Sequence, residues 1–219
     1  MHFHRWLAAA FVTVALLFAA PASSWAKLNV FACEPEWATL TQELGKDLVS
    51  VYSATTALQD PHQIQAKPSL IARLRNADLL VCTGAELEIG WLPVLLRQSA
   101  NNQVQDGSPG NFSAAEQVPL LEIPVSVDRA QGDVHAQGNP HIQTSARNYP
   151  QVAKGLAQRL GMVDPPNAAQ YQANLADFLK RWDAATRRWE AEAAPLKGVT
   201  VVVHHKGWTY LLDWLGMKE

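Results

Sequence analysis

Five histidines of this chain fall in three short segments that lie far apart in sequence. Seven histidines are present, and His2 and His4 precede a long apolar run. The other five lie beside turns or at the end of an apolar run, and they are His62, His135, His141, His204 and His205. Imidazole is a common ligand of zinc and of similar borderline metal ions. Because the spacing is far wider than that of a zinc finger, we predict a zinc-like site that the tertiary structure assembles, most simply across a cleft.

Residues 1–26 have the pattern of a secretory signal peptide. Residues 1–5 form a short polar start with one arginine, residues 7–20 are apolar, and residues 24–26 place small side chains at the cleavage offsets. The apolar run is shorter than the about 20 residues that a membrane span needs. No cysteine follows it at a lipoprotein position. We therefore expect cleavage after Ala26 and export of a product without a lipid anchor to the periplasm or the exterior.

The composition limits the partners and the redox state. The chain has 18 Lys and Arg and 20 Asp and Glu, and the leader contributes only Arg5, which leaves 17 against 20 and a net charge near −3. Since no basic stripe is present, we expect no nucleic-acid partner. Separately, we expect the chain to be a monomer. The only cysteines are Cys33 and Cys82. An oxidising compartment favours a disulfide between them, and two buried thiols at strand ends are an equal alternative.

The first half of the chain alternates strand and helix patterns. Apolar strands are predicted at residues 28–33, 49–52 and 79–82, and helices are predicted to begin near Pro35, Pro68 and Trp91. Such alternation is typical of a parallel sheet with helices on both faces. Ligands of these sheets bind beyond the carboxyl ends of the strands, which is where His62 follows the second strand.

The second half begins with loops and continues into helices. Residues 101–138 are predicted to be loops with one strand at 119–123, and a helix at 149–160 is predicted to end at Gly161. An apolar stripe then predicts a helix over residues 166–194, which would be roughly 40 Å long and would brace two lobes. A coiled-coil dimerisation helix is the alternative. A buried strand at 199–203 and a helix at 208–215 complete the prediction.

The three histidine segments resemble motifs of one protein family. The chain is similar to the zinc/manganese substrate-binding proteins of bacterial ABC importers, whose two lobes are joined by a rigid helix. The matching segments are Asp60-Pro61-His62, Asn139-Pro140-His141 and the stretch from His205 to Tyr210, which has the spacing H-x-x-aromatic-x-Tyr. Residues 77–92 also resemble the third strand of the family and its following turn. The resemblance extends from about Lys27 to residue 219.

The resemblance implies a fold and a metal site. It implies an α/β protein of two Rossmann-like lobes, with a first lobe at 27–165, the interlobe helix at 166–194 and the start of a second lobe at 195–219. The metal would lie between the lobes, bound by His62 and His141 from the first lobe and by His205 from the second. A histidine at the third position goes with zinc in this family, whereas manganese binders tend to have a carboxylate there, and imidazole-rich sites favour zinc over manganese.

The chain departs from the family pattern in three places. The aromatic residue, leucine and Asp-Pro that usually follow the Asn-Pro-His motif are absent, which predicts weaker support for His141. The histidine-rich loop is missing, and we expect His135 in that region to capture or shield metal rather than to be a primary ligand. The fourth ligand of the family, usually a carboxylate, lies beyond residue 219, so we expect a truncated or partial chain with an incomplete second lobe.

Other polar residues near these motifs have less specific roles. Adjacent residues of a strand point to opposite faces, so we assign His204 to packing or to a supporting role beside His205. Four glutamates near predicted helix N-termini are expected to interact with the helix dipoles, namely Glu34, Glu36, Glu86 and Glu88.

Two function classes remain from the sequence. The first is a periplasmic protein that binds zinc, with manganese as the less favoured ion, and delivers it to the membrane permease of an ABC importer. The second is a secreted zinc hydrolase in which three histidines hold the ion and an open position activates water. No H-E-x-x-H motif is present, which favours the binding protein and predicts that the chain is not an enzyme.

Overall fold

The computed structural model describes residues 26–126 and 134–219. The predicted signal peptide, apart from Ala26, lies outside the described residues, as does the segment 127–133. Strands and helices alternate as the hydrophobic pattern predicts. The strands are β1 (Leu28–Ala32), β2 (Val49–Ser53), β3 (Leu79–Cys82) and β4 (Asn111–Ser113). The α-helices are α1 (Pro35–Gly45), α2 (Pro68–Arg75), α3 (Leu92–Ser99), α4 (Tyr149–Val163), α5 (Ala168–Ala193) and α6 (Thr209–Leu215).

The strands form one parallel sheet in the order β2-β1-β3-β4. Helices cover both of its faces, because one apolar core joins the sheet to α1, α4 and α5 and a second joins it to α2 and α3. All four residues of β3 are buried, as expected for a central strand that is covered on both sides. A proline lies in the first turn of each of the helices α1 to α4, where a missing N–H leaves no hydrogen bond unmade. The α/β class predicted from the sequence is thus present.

Two predicted strands are wrong. Residues 119–123 are not a strand, since Leu121 bonds instead to a tyrosine hydroxyl and to the backbone N–H of Asn139, and Glu122 has a left-handed φ of 51°. Residues 199–203 form only an isolated bridge between Thr200 and Lys218, and Val202 is 99% exposed. Apolar composition alone predicted both strands, but a strand also needs a neighbouring strand with which to pair its backbone.

The predicted long helix is present as α5. Its 26 residues correspond to about 39 Å, and short 3-10 turns precede and follow it. Only its first half is well buried, through Tyr171, Leu175 and Phe178. The helix α4 before it does not end at Gly161 but continues to Val163. A Cβ at Gly161 would lie 3.1 Å from Ala168, so the glycine permits close packing of the two helices. The boundaries of the two lobes remain predictions.

The two cysteines form a disulfide. Ala32 of β1 pairs with Val81 of β3, so Cys33 and Cys82 are the next opposed residues in the two strands, and their Cα atoms are 4.8 Å apart. The bond cross-links the middle of the sheet at the carboxyl ends of its strands. Among the described residues, no helix is long and apolar enough to cross a membrane.

Candidate metal centre

His62 is held by the aspartate two residues before it. The Asp60 carboxylate accepts hydrogen bonds from the His62 backbone N–H, at 3.0 Å, and from its Nδ1, at 2.8 Å. A carboxylate only accepts, so Nδ1 carries the proton of the neutral imidazole and Nε2 has the lone pair that a metal requires. Partial burial acts to raise the pKa of Asp60, but the hydrogen bonds from His62 outweigh it and lower this pKa below its ordinary value. The Asp-Pro-His turn therefore orients the ring and selects its tautomer.

His141 is held in the same way by an amide. Asn139 Oδ1 accepts from the His141 backbone N–H and from Nδ1, both at 2.9 Å. The amide orientation is fixed on its other side, because Nδ2 donates to the Glu122 carboxylate at 2.8 Å and to the Lys206 carbonyl at 2.7 Å. Nε2 of His141 is thus also the nitrogen with the lone pair. The support of His141 therefore comes from Asn139, the residue before the proline, and the weaker support expected from the absent aspartate stays a prediction.

The difference between Asp60 and Asn139 has a structural reason. The side chain at position 60 is exposed and needs only to accept, which a carboxylate does well. The side chain at position 139 is buried and must also donate to two acceptors, Glu122 and Lys206. An aspartate there would face the Glu122 carboxylate and the carbonyl with no hydrogen to offer.

The loop of His62 packs against the segment just before α3. Trp91 is fully buried, and its indole N–H donates to the Pro61 carbonyl at 2.8 Å. A Cβ at Gly90 would lie 3.0 Å from the His62 carbonyl oxygen, so the two loops are in close contact. The turn between β3 and α3 thereby fixes the position of the Asp-Pro-His loop.

The segment that carries His205 is docked on the segment that carries His141. The Tyr210 hydroxyl donates to the Asn139 carbonyl at 2.7 Å and accepts from the Leu121 N–H at 3.0 Å. Glu122 adds an ion pair of 3.1 Å with Lys206 and accepts from the Thr209 hydroxyl, also at 3.1 Å. Although partial burial acts to raise it, the hydrogen bonds from Asn139, Lys206 and Thr209 lower the pKa of Glu122. Sequence patterns did not indicate this role for Glu122, which lies in a segment predicted as a strand.

The structure brings the three predicted histidines together. One ring nitrogen from each of His62, His141 and His205 lies within 4.8 Å of the other two. The ring centroids are 5.3 Å apart for His62 and His141, 5.6 Å for His62 and His205, and 5.0 Å for His141 and His205. A Zn–N bond of about 2.0–2.1 Å puts an imidazole centroid about 3.2 Å from the ion, so tetrahedral ligands have centroids about 5.2 Å apart. The cluster therefore has the dimensions of a tetrahedral metal site.

The remaining histidines differ from each other. His135 is 9% exposed, and its ring centroid lies 5.4 Å from that of His62 and 6.4 Å from that of His141. His204 is exposed, which does not fit the packing role expected for it. Gly207 was not predicted to matter, yet a Cβ there would lie 3.2 Å from His205 Nδ1 and 3.7 Å from His141 Nε2. The absence of a side chain at Gly207 leaves room beside both imidazoles.

Glu36 lies in the first turn of α1 as expected, whereas Glu34, Glu86 and Glu88 form other contacts. Burial, together with the negative charge of Glu88, raises the pKa of Glu34 well above its ordinary value. Burial raises the pKa of Glu88 from 4.5 to about 7, against hydrogen bonds that lower it. Both carboxyl groups accept from the Thr83 backbone N–H, at 3.3 and 2.8 Å. Glu86 instead accepts from the backbone N–H of Ala136, beside His135, at 2.8 Å.

A family model described as "ZnuA: Zinc-uptake complex component A periplasmic" matches residues 30–219. The chain belongs to this family. The recognition of a metal-importer substrate-binding protein from the three histidine motifs is thereby confirmed.

Relatives of this chain in the ZnuA family have different metals in their names. The manganese ABC transporter substrate-binding lipoprotein scaA of Streptococcus gordonii is 27% identical over 165 residues, which are 74% of this chain and 50% of that protein. The iron ABC transporter substrate-binding lipoprotein MtsA of Streptococcus pyogenes serotype M1 is 24% identical over 158 residues, which are 71% of this chain and 48% of that protein. A crystal structure of ZnuA superposes with a TM-score of 0.74 at 26% identity, over 88% of this chain and 70% of that one.

These comparisons confirm the fold and the family. The family binds metal ions for ABC transporters, and the parallel sheet and the long helix are those of the solved ZnuA structures. The named relatives are substrate-binding proteins rather than enzymes. The chain spans about half the length of the two Streptococcus relatives.

Proposed function

We propose that this chain captures zinc outside the cytoplasm through His62, His141 and His205 and delivers it to the membrane permease of an ABC importer. The observation that supports this most strongly is the convergence of three imidazoles at separations suited to one tetrahedral ion. The paired Asx-Pro-His turns support it further, since both orient Nε2 for ligation. Membership of a family of metal importers supplies the permease as the partner.

Zinc is the ion that best suits these donors. Neutral imidazole is a borderline ligand and favours zinc, whereas manganese favours carboxylate and carbonyl oxygen. The cluster of three histidines contains no carboxylate among the described residues. We therefore propose a zinc protein, with manganese bound more weakly, even though relatives are named for manganese and iron.

The mode of binding suggests how zinc is exchanged. His62 and His141 are fixed by neighbours in the first lobe, whereas His205 belongs to a segment after the long helix. Movement of this segment away from Asn139 would remove one ligand of three and loosen the ion. We propose that the chain acts as a monomer in the periplasm, without enzymatic activity and without a nucleic-acid partner.

Zinc titration against a chromogenic chelator tests the proposed function. We expect tight, one-to-one binding by the wild-type chain and a large loss of affinity in His62→Ala and in His141→Ala. His204→Ala is the matched control, because His204 adjoins His205 but is not among the three converging imidazoles, and this variant should bind as wild type does. Unchanged affinity in both ligand variants would refute the assignment. Zinc-dependent hydrolysis of esters or peptides would favour the hydrolase instead.

A further inference from the structure

We propose that His135 is a fourth protein ligand of the ion, so that this chain binds zinc through four imidazoles. The proposal rests on the proposed function, because it adds a ligand to the site of His62, His141 and His205. It replaces the expectation that His135 only captures or shields the metal.

The ring of His135 lies at nearly the distance that a fourth ligand requires. Tetrahedral imidazoles around zinc have centroids about 5.2 Å apart, from a Zn–N bond of about 2.0–2.1 Å. The separation between His135 and His62 is 5.4 Å, within the range of 5.0 to 5.6 Å found among the other three rings. The separation from His141 is 6.4 Å, which is about 1 Å longer than the tetrahedral value.

The backbone that carries His135 is anchored on its C-terminal side. The next residue, Ala136, donates its N–H to Glu86 Oε2 at 2.8 Å, and Gly138 donates to the His135 carbonyl at 3.1 Å. Gly138 has a φ of +113°, and a Cβ there would lie 3.0 Å from the Leu121 carbonyl oxygen, so this tight turn requires glycine. The turn directs the chain from His135 into the Asn-Pro-His motif. We therefore expect His135 to approach the ion by movement of its side chain, with the backbone after it kept in place.

The burial of His135 is consistent with a role at the site. Histidine in a surface loop is usually exposed, whereas His135 is only 9% exposed and packs over His62. It also lines a cavity of about 260 Å³ together with Glu122, His141 and Lys206. A fourth nitrogen would close the coordination shell within these residues, as in four-coordinate zinc sites, and would disfavour manganese further.

The test counts imidazoles on zinc in the purified chain. X-ray absorption of the zinc-loaded wild type should show four imidazole nitrogens, and His135→Ala should show three, with a lighter ligand such as water in the vacated position. His204→Ala is the matched control and should retain four. Loss of a residue that only hydrogen-bonds a ligand costs about 10–100-fold in metal affinity. The zinc affinity of His135→Ala should fall by more than this. His135→Gln preserves more of the side-chain volume, so it controls for a change in loop structure. This variant should also show three imidazole nitrogens.

The outcomes separate this proposal from the proposed function. Three imidazoles in the wild type, or an unchanged count in His135→Ala, would overturn the assignment of His135 and leave the three-histidine site intact. A lower count in His204→Ala but not in His135→Ala would also overturn it. Zinc binding that is unaffected by His62→Ala would refute the proposed function itself, and the fourth ligand with it.

Discussion

Replacement of Asn139 by alanine is expected to weaken metal binding although it changes none of the three proposed histidine ligands. The Asn139 side chain accepts two hydrogen bonds from His141 and donates to the Lys206 carbonyl and to Glu122. Alanine removes the acceptor that keeps the proton on Nδ1 of His141, and it disconnects the segment of His205. Loss of such an outer partner typically costs about 10–100-fold in metal affinity, which is about 1.4–2.8 kcal/mol.

The same change should destabilise the metal-free chain. Asn139 is 6% exposed, so Asn139→Ala leaves the buried His141 N–H without its partner and removes one of two hydrogen bonds to the Lys206 carbonyl. An unpaired buried N–H costs about 1–3 kcal/mol and a lost hydrogen bond about 1 kcal/mol, and some of this is recovered when water enters. We therefore expect the free energy of unfolding in urea to fall by about 2–4 kcal/mol.

Asn101→Ala is the matched control. Asn101 accepts from Gln103 and donates to the carbonyls of Leu74 and Ala77, so it makes a similar number of bonds in a different part of the lobe. We expect a similar loss of stability with wild-type zinc affinity, as measured by chelator competition. The reasoning would be refuted if Asn139→Ala bound zinc within threefold of wild type, or if Asn101→Ala lost as much affinity.

Three further changes test other parts of the structure. Gly207→Ala places a Cβ 3.2 Å from His205 Nδ1 and should lower zinc affinity about tenfold in chelator competition. Burial raises the pKa of Glu88 to about 7, so between pH 4.5 and 7 the folded state binds more protons than the unfolded state. The free energy of unfolding should thus fall as pH rises through that window, by about 3 kcal/mol more in wild type than in Glu88→Gln. Reduction of the bond between Cys33 and Cys82, which closes a loop of 49 residues, should lower the free energy of unfolding by about 4 kcal/mol.

Each of these changes has a control and a contrary result. Gly207→Ala should leave the unfolding midpoint of the metal-free chain almost unchanged, and unaltered zinc affinity would show that the imidazoles have room to move. Equal pH dependence in wild type and Glu88→Gln would contradict the raised pKa. A double variant with alanine at both cysteines should not respond to reductant. If reductant also left the free energy of unfolding of the wild-type chain unchanged, the disulfide would either not form or not stabilise the fold.

Local patterns were enough to predict most of the first lobe. Strands β1, β2 and β3 and helices α1 and α2 were found because apolar runs, helical spacing and first-turn prolines agree with one another there. The failures lie at residues 119–123 and 199–203, where apolar composition was present but strand partners were not. The missed strand β4 is only three residues long, and its place beside β3 follows from burial of Phe112 rather than from a local pattern.

The candidate site likewise combines features that local sequence determines with features that depend on the tertiary structure. The Asp-Pro-His and Asn-Pro-His motifs are local, because an oxygen two residues before a histidine bonds its backbone N–H and its Nδ1 within one turn. The sequence therefore determined which histidines to consider, and the hydrogen bonds in the structure showed which ring nitrogen His62 and His141 present. Its reading of His204 and His205 as strand neighbours was local too, and it failed with the strand.

Only the tertiary structure decided how these parts meet. The convergence of His62, His141 and His205 depends on a parallel sheet that orders its loops at one edge and on a segment after the long helix that returns to that edge. The contacts of Glu122 and the position of His135 depend on residues distant in sequence, so no spacing along the chain encodes them. A local motif can fix the orientation of one imidazole, but a metal site requires several to share one point, and that distance is set by the packing of the whole fold.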